Sequence, residues 1–557
     1  MTMPPTFLQV SCDIAARFLH SVVVVDDRAE YATDEVAGRL KEVPTFSEDT
    51  ERPNELRSRR KRSGLVTPED RQRPAENLNA KSLVDGFAEK GLVCAILRPA
   101  KAEEQATSRT VFAARCSDIV VLDWNFYGDD GATTCDLITK ILADDAGRDR
   151  LRLIAVYTGE RHLGKIATRL RTKFNEILPS SRLRRDGEFV MTKDGVRIAV
   201  FAKTDTPFIA RDIKGRQRIV GEADLPSRLV TEFAALTSGL VSNVALDSLA
   251  ALRENTHRIL KSLRPSLDAA YLWHRAVLVR PADAEEHLVA LVASEIRSVL
   301  DDEMVGSRAD MESIDLWLAE KGTTDYGPSF GESVSRTVAD VHELLEVGAA
   351  GKSEQSKEVI GRFGRMKREK AHRKTADLPV FASSGAEATR SNEEFARLMS
   401  LKTHYTHPVP ILSLGAILTK GRSPRRTYWL CVQPRCDSVR LTAPRAFPLL
   451  PLAIATDDIY KFGIILSRKK GASIRLRVSD RPHDLCLVEF APTAPADSVI
   501  AAWARGTFRF VSSDNTIYTW LADLKEDQAQ RVATDLAYQF GRIGLTESEW
   551  LLLSATK

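Results

Sequence analysis

The fold of the first part of this chain is indicated most clearly by SVVVVDD, residues 21–27, because a short apolar run ends there in two carboxylates. Buried strands of parallel sheets are apolar along their whole length in this way. Three later runs share the design: DIVVLDW (118–124), LIAVYTG (153–159) and IAVFAKTD (198–205). The polar residues that close the four runs are Asp26 and Asp27, Asp123, Thr158, and Lys203.

Helical patterns lie between these runs, and LVCAILRP (92–99) adds a fifth strand. A helix is predicted to begin after Asn79 as its cap and to stop at Gly91. Strands that alternate with helices predict the α/β class, here a doubly wound five-stranded parallel sheet. Because such sheets bind ligands at the carboxyl ends of their strands, we expect the closing polar residues to meet there.

That set of side chains suits transfer of a phosphoryl group. A carboxylate attacks phosphorus only when the repulsion between the two anions is cancelled, which requires a divalent cation and a fixed positive side chain. Carboxylate oxygens suit Mg²⁺, and a lysine supplies a point charge for the phosphoryl oxygens.

Residues 10–242 resemble a receiver domain of two-component phosphorelays, with two insertions. The resemblance implies a flavodoxin-like strand order. It also implies a phosphoacceptor, a charge partner and a hydroxyl beside the phosphoryl group, which would be Asp123, Lys203 and Thr158. Mg²⁺ would be held by Asp26, Asp27, Asp123 and the backbone carbonyl of Asn125. Gly159 is small, as the family prefers after that threonine.

Four features depart from the family pattern. Residues 28–78 form a basic insertion that must loop out, and residues 179–196 read as an inserted hairpin. The proline that usually follows the lysine directly is displaced to Pro207. Val200 stands at the position of the aromatic switch, with Phe201 one place later. Signal transmission by ring rotation is therefore not expected.

Asn125 and Glu160 lie two places after Asp123 and Thr158, where the family places the groups that flank the hydrolytic water. Small polar side chains there resemble the arrangement of fast-cycling chemotaxis receivers, because they can orient water on the acyl phosphate. We therefore expect a short-lived phosphoryl group on Asp123. The alternative is that both are exposed loop residues.

The chain of 557 residues is too long for one core, since single cores rarely exceed roughly 250 to 300 residues. A net charge of +4 is too small to indicate nucleic acid by itself. No apolar run is long enough for a membrane span, and the N-terminus lacks a signal pattern, so a cytoplasmic location is expected. The odd set of seven cysteines favours reduced thiols.

Beyond the receiver-like part, 1–242, the pattern changes three times. Residues 243–350 have helical periodicity and predict a bundle, 351–400 read as a basic linker, and 401–557 predict an α+β domain of unknown role. The bundle carries His257, His274 and His287, which we interpret as surface or core residues rather than phosphorelay histidines.

The sequence of the C-terminal part gives little indication of metal binding or of an independent catalytic activity. Cys431, Cys436, His483 and Cys486 could form a zinc site, but their spacing departs from common structural sites, so ordinary thiols are favoured. No P-loop, zinc-protease, nucleophile-elbow or kinase motif occurs, which leaves at most self-phosphorylation and autodephosphorylation as enzyme activity.

Two functions remain open. The first is a phosphorelay receiver that takes phosphate from a histidine kinase, with a second receiver-containing effector as a further partner. Its layout resembles the phosphate-sink proteins of Detocs-type phage-defence phosphorelays. The alternative is an adaptor, phosphorylation-tuned or inactive as a receiver, whose C-terminal domain binds a protein or nucleic acid. Nucleic acid could bind the basic segments 57–62 and 362–374, but these read more simply as solvated loop and linker.

Overall fold

The structure is a computed structural model. It describes residues 5–30, 78–99, 106–148, 150–177, 184–185, 187–193, 195–204, 206, 213–321, 338–348, 353–363, 381, 385–421, 425–455, 463–467, 473–479, 481–494 and 497–540. The chain divides into two compact units, Met1–Gly322 and Thr323–Lys557. The basic segment 57–62, Asp205 and Pro207 lie outside the described residues, as does all of 362–374 beyond its first two positions.

The first unit is built on a seven-stranded sheet. Its strands, with two short ones that pair separately, are β1 (Ser21–Val25), β2 (Ala29–Glu30), β3 (Leu78–Asn79), β4 (Val93–Leu97), β5 (Ile119–Leu122), β6 (Arg152–Thr158), β7 (Arg184–Arg185), β8 (Val190–Lys193) and β9 (Val196–Ala202). The order across the sheet is β4-β1-β5-β6-β9-β8-β7, while β2 pairs with β3. Strands β4, β1, β5, β6 and β9 are parallel. The α/β class is therefore confirmed.

The prediction of five strands is incomplete. Strands β8 and β7 extend the sheet beyond β9, and both are antiparallel to their neighbours. They come from the predicted hairpin insertion, which adds to the sheet because β9 would otherwise present an unpaired edge. Val190 and Met191 bury their side chains against the two faces of the sheet, so packing as well as backbone hydrogen bonding holds β8 in place.

Helices cover both faces of the sheet, as the alternation predicts. One core contains Val22 and Val24 and packs under the helices that include Leu83 and Leu229. The helices of this unit are Phe7–Phe18, Ala80–Glu89, Ala106–Arg115, Ala132–Ala146, Leu163–Ile177, Ile213–Arg216 and Leu225–Thr237, with the later helices given below. The other core contains Val23 and packs under the helices that include Leu137 and Leu170. Successive valines of β1 thus point to opposite faces, and each contributes about 1.5 to 3 kcal/mol by burial.

The helical region after residue 242 belongs to the first unit. It begins with a separate helix and does not extend the helix before it. The helix Leu225–Thr237 ends at Ser238, and a new helix, Leu240–Ser262, begins after Gly239. Asn243 Nδ2 donates to Ser11 Oγ at 3.1 Å, which fixes the new helix on the first helix of the chain. The following helices are Asp268–Val277, Asp283–Asp302 and Met311–Lys321.

The second unit contains short helices and a nine-stranded sheet. Its helices are Val338–Val347, Glu354–Phe363, Gly385–Ser400 and Glu526–Phe540. Its strands are β10 (Ala416–Lys420), β11 (Thr427–Cys431), β12 (Arg445–Ile454), β13 (Ile464–Ser467), β14 (Ser473–Val478), β15 (Cys486–Phe490), β16 (Ala502–Ala504), β17 (Thr507–Val511) and β18 (Ile517–Asp523). The order is β13-β14-β12-β11-β10-β18-β17-β16, and β15 pairs with β12.

Two of these helices, Glu354–Phe363 and Gly385–Ser400, lie within the segment 351–400 that the sequence predicts as a linker. The second is fixed to the sheet, since Glu393 accepts hydrogen bonds from Ser473 Oγ at 2.5 Å and from Arg475. Among the helices of the described residues, none combines the length and apolarity that a bilayer crossing requires.

Candidate functional site

The sheet brings the predicted polar residues to one edge. Asp26 and Asp27 follow β1, Asp123 follows β5, Thr158 ends β6 and Lys203 follows β9. Ladder hydrogen bonds continue past the strand ends, since Asp123 N donates to the carbonyl oxygen of β1's last residue and Lys203 N donates to Thr158 O, both at 2.9 Å. The backbone therefore fixes these residues at neighbouring positions, and all five are buried.

Lys203 joins two of the carboxylates. Its Nζ lies 2.8 Å from Asp26 Oδ2 and 3.3 Å from Asp123 Oδ1. Burial lowers the pKa of Lys203, but the charges of Asp123 and Asp26 outweigh burial and the net shift is upward. The lysine is therefore a permanent positive charge between two acids, as stabilisation of a phosphoryl group requires.

Asp123 is the acid with the most perturbed titration. Burial raises the pKa of its carboxyl to about 6, Lys203 opposes that rise and Asp26 adds to it. Its Oδ2 accepts a hydrogen bond from Asn125 N at 2.8 Å. Its carbonyl oxygen accepts another from Thr134 Oγ1 at 2.6 Å, which ties the loop after β5 to the next helix. A buried carboxylate with this pKa is ionised near pH 7 and retains nucleophilic character.

Asp27 provides an oxygen without a partner. Its Oδ2 accepts a hydrogen bond from Tyr127 N at 3.0 Å, and its backbone carbonyl accepts one from Arg98 Nε at 2.9 Å. Its Oδ1 is buried and has no hydrogen bond partner. A buried carboxylate oxygen left in this state is costly unless something occupies it, and a hard cation such as Mg²⁺ takes such oxygens.

The three acids nevertheless do not form a closed metal cage. In the part of the chain that the structure describes, no group of three His, Cys, Asp or Glu side chains is arranged to hold a metal ion. Lys203 and Arg28 N occupy the two oxygens of Asp26 at 2.8 and 2.7 Å. Mg²⁺ commonly binds through one or two carboxylates with water and substrate phosphate, so Asp27 and Asp123 suit it without a full protein cage.

Thr158 faces the same edge. It is 1% exposed, and its Oγ1 accepts a hydrogen bond from Glu160 N at 3.2 Å. Thr206, which the sequence interpretation did not select, donates its hydroxyl to Lys203 O at 2.7 Å. This bond closes the turn after β9 near the place where the family has its proline, so a hydroxyl residue directly before the displaced Pro207 is the sequence signal for it.

Asn125 and Glu160 are in contact rather than independently exposed. Asn125 Nδ2 donates to Glu160 Oε1 at 3.1 Å, and Asn125 Oδ1 accepts a hydrogen bond from Asp130 N at 3.1 Å. The pair bridges the loops after β5 and β6 on the side of Asp123 and Thr158. Two polar side chains held in this way can position a water molecule next to the acid.

The sequence interpretation also missed the supporting loop residues. Arg98 and Tyr127 hold Asp27, and Thr134 holds Asp123. Arg98 directly follows β4 and Thr134 begins a helix, so positions next to a strand end and at a helix start are the signals that could have found them. Tyr127 has φ of 52°, a loop conformation that the sequence does not predict.

Val200 and Phe201 are both fully buried in β9 and point to opposite faces of the sheet. Arg218 lies over the Phe201 ring, with its guanidinium carbon 4.2 Å from the ring centroid. Arg218 Nε also donates to Val200 O at 2.9 Å. The aromatic ring next to the switch position is thus covered by a guanidinium on a buried face.

The C-terminal cysteine and histidine set has mixed surroundings. Cys431 is fully buried, and burial raises its pKa to about 12. Cys436, His483 and Cys486 are exposed. Within the described part of the chain, these four side chains do not form a cluster of three ligands for a metal ion.

Of the three histidines in the helical region, His274 and His287 contact each other. Their Nε2 and Nδ1 atoms lie 2.9 Å apart on exposed faces of two helices. His257 lies exposed on the helix Leu240–Ser262. None of the three contributes to the edge of the sheet that holds Asp123.

The comparisons with known proteins agree with this geometry in one region. No curated protein and no solved structure matches the chain significantly. A family model described as "Response receiver domain" matches residues 18–208, which include all four strand ends and the loops around Asp123. The match supports a receiver domain in this part of the chain, and with it a phosphorelay or response-regulator role.

Proposed function

We propose that the receiver domain accepts a phosphoryl group from a histidine kinase onto Asp123, with Mg²⁺ bound beside it. The observation that carries the proposal is Lys203, whose Nζ contacts both Asp26 and Asp123 inside a buried site. A carboxylate whose negative charge is balanced in this way can approach an anionic phosphoryl group.

The transfer is a displacement at phosphorus. A carboxylate oxygen of Asp123 forms the new O–P bond while the N–P bond of a phosphohistidine breaks, and the imidazole leaves with the electron pair and takes up a proton. Lys203 and the Thr158 hydroxyl are the groups of this chain that stabilise the transferred oxygens. When bound, Mg²⁺ would neutralise charge on the phosphoryl group, with Asp27, Asp123 and the Asn125 carbonyl as ligands. Asp26 would join them through the second lone pair of an oxygen that already accepts a hydrogen bond from Lys203 or Arg28 N.

The phosphoryl group on Asp123 is proposed to be short-lived. Water attacks phosphorus, the O–P bond breaks, and inorganic phosphate and the free carboxylate form. The support is the Asn125–Glu160 hydrogen bond, which holds both polar side chains beside the acid. Rapid loss of the phosphoryl group suits a protein that acts as a phosphate sink.

We extend the proposal to a phosphate sink in a phage-defence phosphorelay, in which a second receiver-containing effector competes for the same kinase. The position of Val200, where the family has its aromatic switch, supports absorption over transmission, since Val200 is fully buried and carries no ring to rotate. The adaptor function is the alternative, with the C-terminal domain as its binding surface.

The test uses the full chain with Mg²⁺ and acetyl phosphate, and separately with a phosphorylated histidine kinase. We expect an acid-stable, base-labile phosphate by intact mass that is absent from Asp123→Asn and without Mg²⁺. Asp129→Asn, which removes a carboxylate in the adjoining loop, is the matched control. Absence of the adduct from the parent protein would leave only the adaptor function.

A further inference from the structure

The second unit contains a cavity of about 1370 Å³ over one face of its sheet. The helix Gly385–Ser400 bounds the cavity through Arg397, and strands β10, β11, β17 and β18 form its floor. This volume exceeds the roughly 300 to 1,000 Å³ of small-molecule pockets, and the site is open to solvent, so an extended ligand suits it better than a compact one.

A row of polar side chains crosses this floor. Arg509 pairs with Thr519, Thr519 with Thr419, and Thr419 with Tyr428, each on the next strand. Directly paired residues of antiparallel strands point to the same face, and strands lie about 4.8 Å apart, so the row is about 14 Å long. All four residues line the cavity.

Positive charge dominates the lining. Among the described residues of the lining, five cations, Arg397, Lys402, Arg426, Arg505 and Arg509, face the cavity together with one carboxylate, that of Glu394. We call these five residues and the floor between them the basic groove. The ion pairs of this sheet region use other arginines, Arg435 with Glu526 and Arg475 with Glu393.

One guanidinium of the basic groove is short of a partner. Arg397 Nε is buried and makes no hydrogen bond. Within the described residues, the hydrogen bond of Arg509 is the one from Nε to the Thr507 hydroxyl at 3.2 Å, so its terminal nitrogens can bind a ligand. Guanidinium groups bind phosphate or carboxylate in pairs of parallel hydrogen bonds, so an anion is the ligand class that this set favours.

The strand arrangement of the floor favours nucleic acid over an extended acidic peptide as the bound anion. An extended peptide gains affinity by adding to a sheet edge, but β10, β11 and β18 each have strand neighbours on both sides. Contacts in the basic groove therefore come from side chains, namely guanidinium and hydroxyl groups together with the apolar residues Leu466, Ile474 and Leu521 of the lining. Arginine, lysine and hydroxyl side chains are the usual partners of nucleic acid phosphates.

We propose that the basic groove binds single-stranded nucleic acid through its phosphodiester backbone. Tyr428 is the aromatic residue of the lining and is 3% exposed, so it gives no stacking platform. Binding is therefore tolerant of sequence and strongly dependent on salt. A single strand is favoured over a duplex because a rigid double helix does not fit a cavity of about 1370 Å³, whereas a flexible single strand can follow the row of polar side chains. This function is independent of phosphoryl transfer at Asp123 and does not require the basic segments 57–62 and 362–374.

The experiment measures fluorescence anisotropy of a labelled mixed-sequence oligonucleotide of about 12 nucleotides, as RNA and as DNA, with the full chain. The test variant is Arg426→Gln/Arg505→Gln, since both side chains are exposed and their loss leaves the core intact. The matched control, Arg445→Gln/Arg481→Gln, removes the same charge from exposed positions outside the basic groove.

We expect the test variant to weaken binding by about tenfold or more and to lower the slope of log affinity against log salt by about 1.4, since each single-strand phosphate contributes about 0.7. The control variant should change affinity less than about twofold. Equal weakening by both variants, or no binding by the parent at about 50 mM salt, overturns the proposal.

Competition decides the ligand class. The unlabelled single strand should displace the probe, while a duplex of the same sequence and a polyglutamate of equal charge should displace it poorly. Stronger displacement by the duplex contradicts binding of a single strand, and stronger displacement by polyglutamate assigns the basic groove to an acidic protein.

Discussion

Lys203 Nζ donates a hydrogen bond to Asp26 Oδ2 at 2.8 Å, although 177 residues separate the two in the chain. The same nitrogen lies 3.3 Å from Asp123 Oδ1. Each of the three side chains is less than a tenth exposed, so water screens their charges weakly. The lysine therefore stabilises the buried acids, and in the proposed reaction it also provides the charge for phosphoryl transfer.

Lys203→Met should lower the rate of phosphorylation by acetyl phosphate by about 10² to 10³-fold, because the charge beside Asp123 is lost. It should also destabilise the receiver domain by about 3 to 5 kcal/mol, because two buried acids lose their counter-ion. Lys203→Arg restores the charge and should recover part of both. Lys214→Met, at an exposed lysine, is the control. An unchanged phosphorylation rate in Lys203→Met would show that Lys203 has no role in phosphoryl transfer.

Asp123→Asn should stabilise the receiver domain at pH 7 while it abolishes phosphorylation. Burial raises the pKa of Asp123 from 3.8 to about 6, so the ionised carboxylate destabilises the folded state above that pH. The parent is thus relatively most stable below pH 3.8, where both states are protonated, and loses about 2 to 3 kcal/mol as pH rises from about 3.8 to 6.

The variant lacks this titration, so its advantage should shrink as pH falls from about 6 to 4. Hydrogen exchange of the β5 strand under urea measures the unfolding of this domain alone, which avoids assuming two-state behaviour for the whole chain. A variant less stable than the parent at pH 7 would contradict the raised pKa.

Glu160→Ala and Asn125→Ala should each lengthen the half-life of the phosphoryl group by about tenfold to hundredfold, because each removes one partner of the hydrogen bond that orients water. Loss of radiolabel from phosphorylated protein measures the half-life. Arg161→Ala, the next residue in the same loop, should have no such effect. A half-life of many hours in the parent would refute rapid hydrolysis.

Gly131→Ala should be far more damaging than Gly128→Ala. Both glycines have positive φ, 81° and 83°, so alanine strains the backbone by about 1 to 2 kcal/mol at either position. At Gly131 the new methyl group would also lie 2.2 Å from a Trp124 ring atom, whereas at Gly128 nothing lies within 4 Å.

The excess cost at Gly131 should be about 1 to 3 kcal/mol, by overpacking. Because Trp124 adjoins Asp123, phosphorylation should slow in Gly131→Ala and stay near normal in Gly128→Ala. Hydrogen exchange of β5 and the phosphorylation rate measure the two effects. Equal stability of the two variants would mean that the Trp124 ring moves aside at no cost in free energy.

The α/β class and the edge of the sheet at which Asp26, Asp123 and Lys203 meet could both be predicted from the residues alone. A strand buried on both faces must be apolar along its length, so the first polar residue after it marks the edge. The parallel direction of the strands then places all such residues together.

Two features could not be predicted from the sequence and follow from the tertiary structure. They are the contacts between loops and the strand pairing in the outer part of each sheet. The Asn125–Glu160 hydrogen bond and the support of Asp27 by Tyr127 depend on loop dihedral angles, which residue types do not fix. The added strands β7 and β8 and the row from Arg509 to Tyr428 depend on strand register. Register is set by pairing between distant segments, and polar residues on an open face leave no periodic signal that identifies their neighbours.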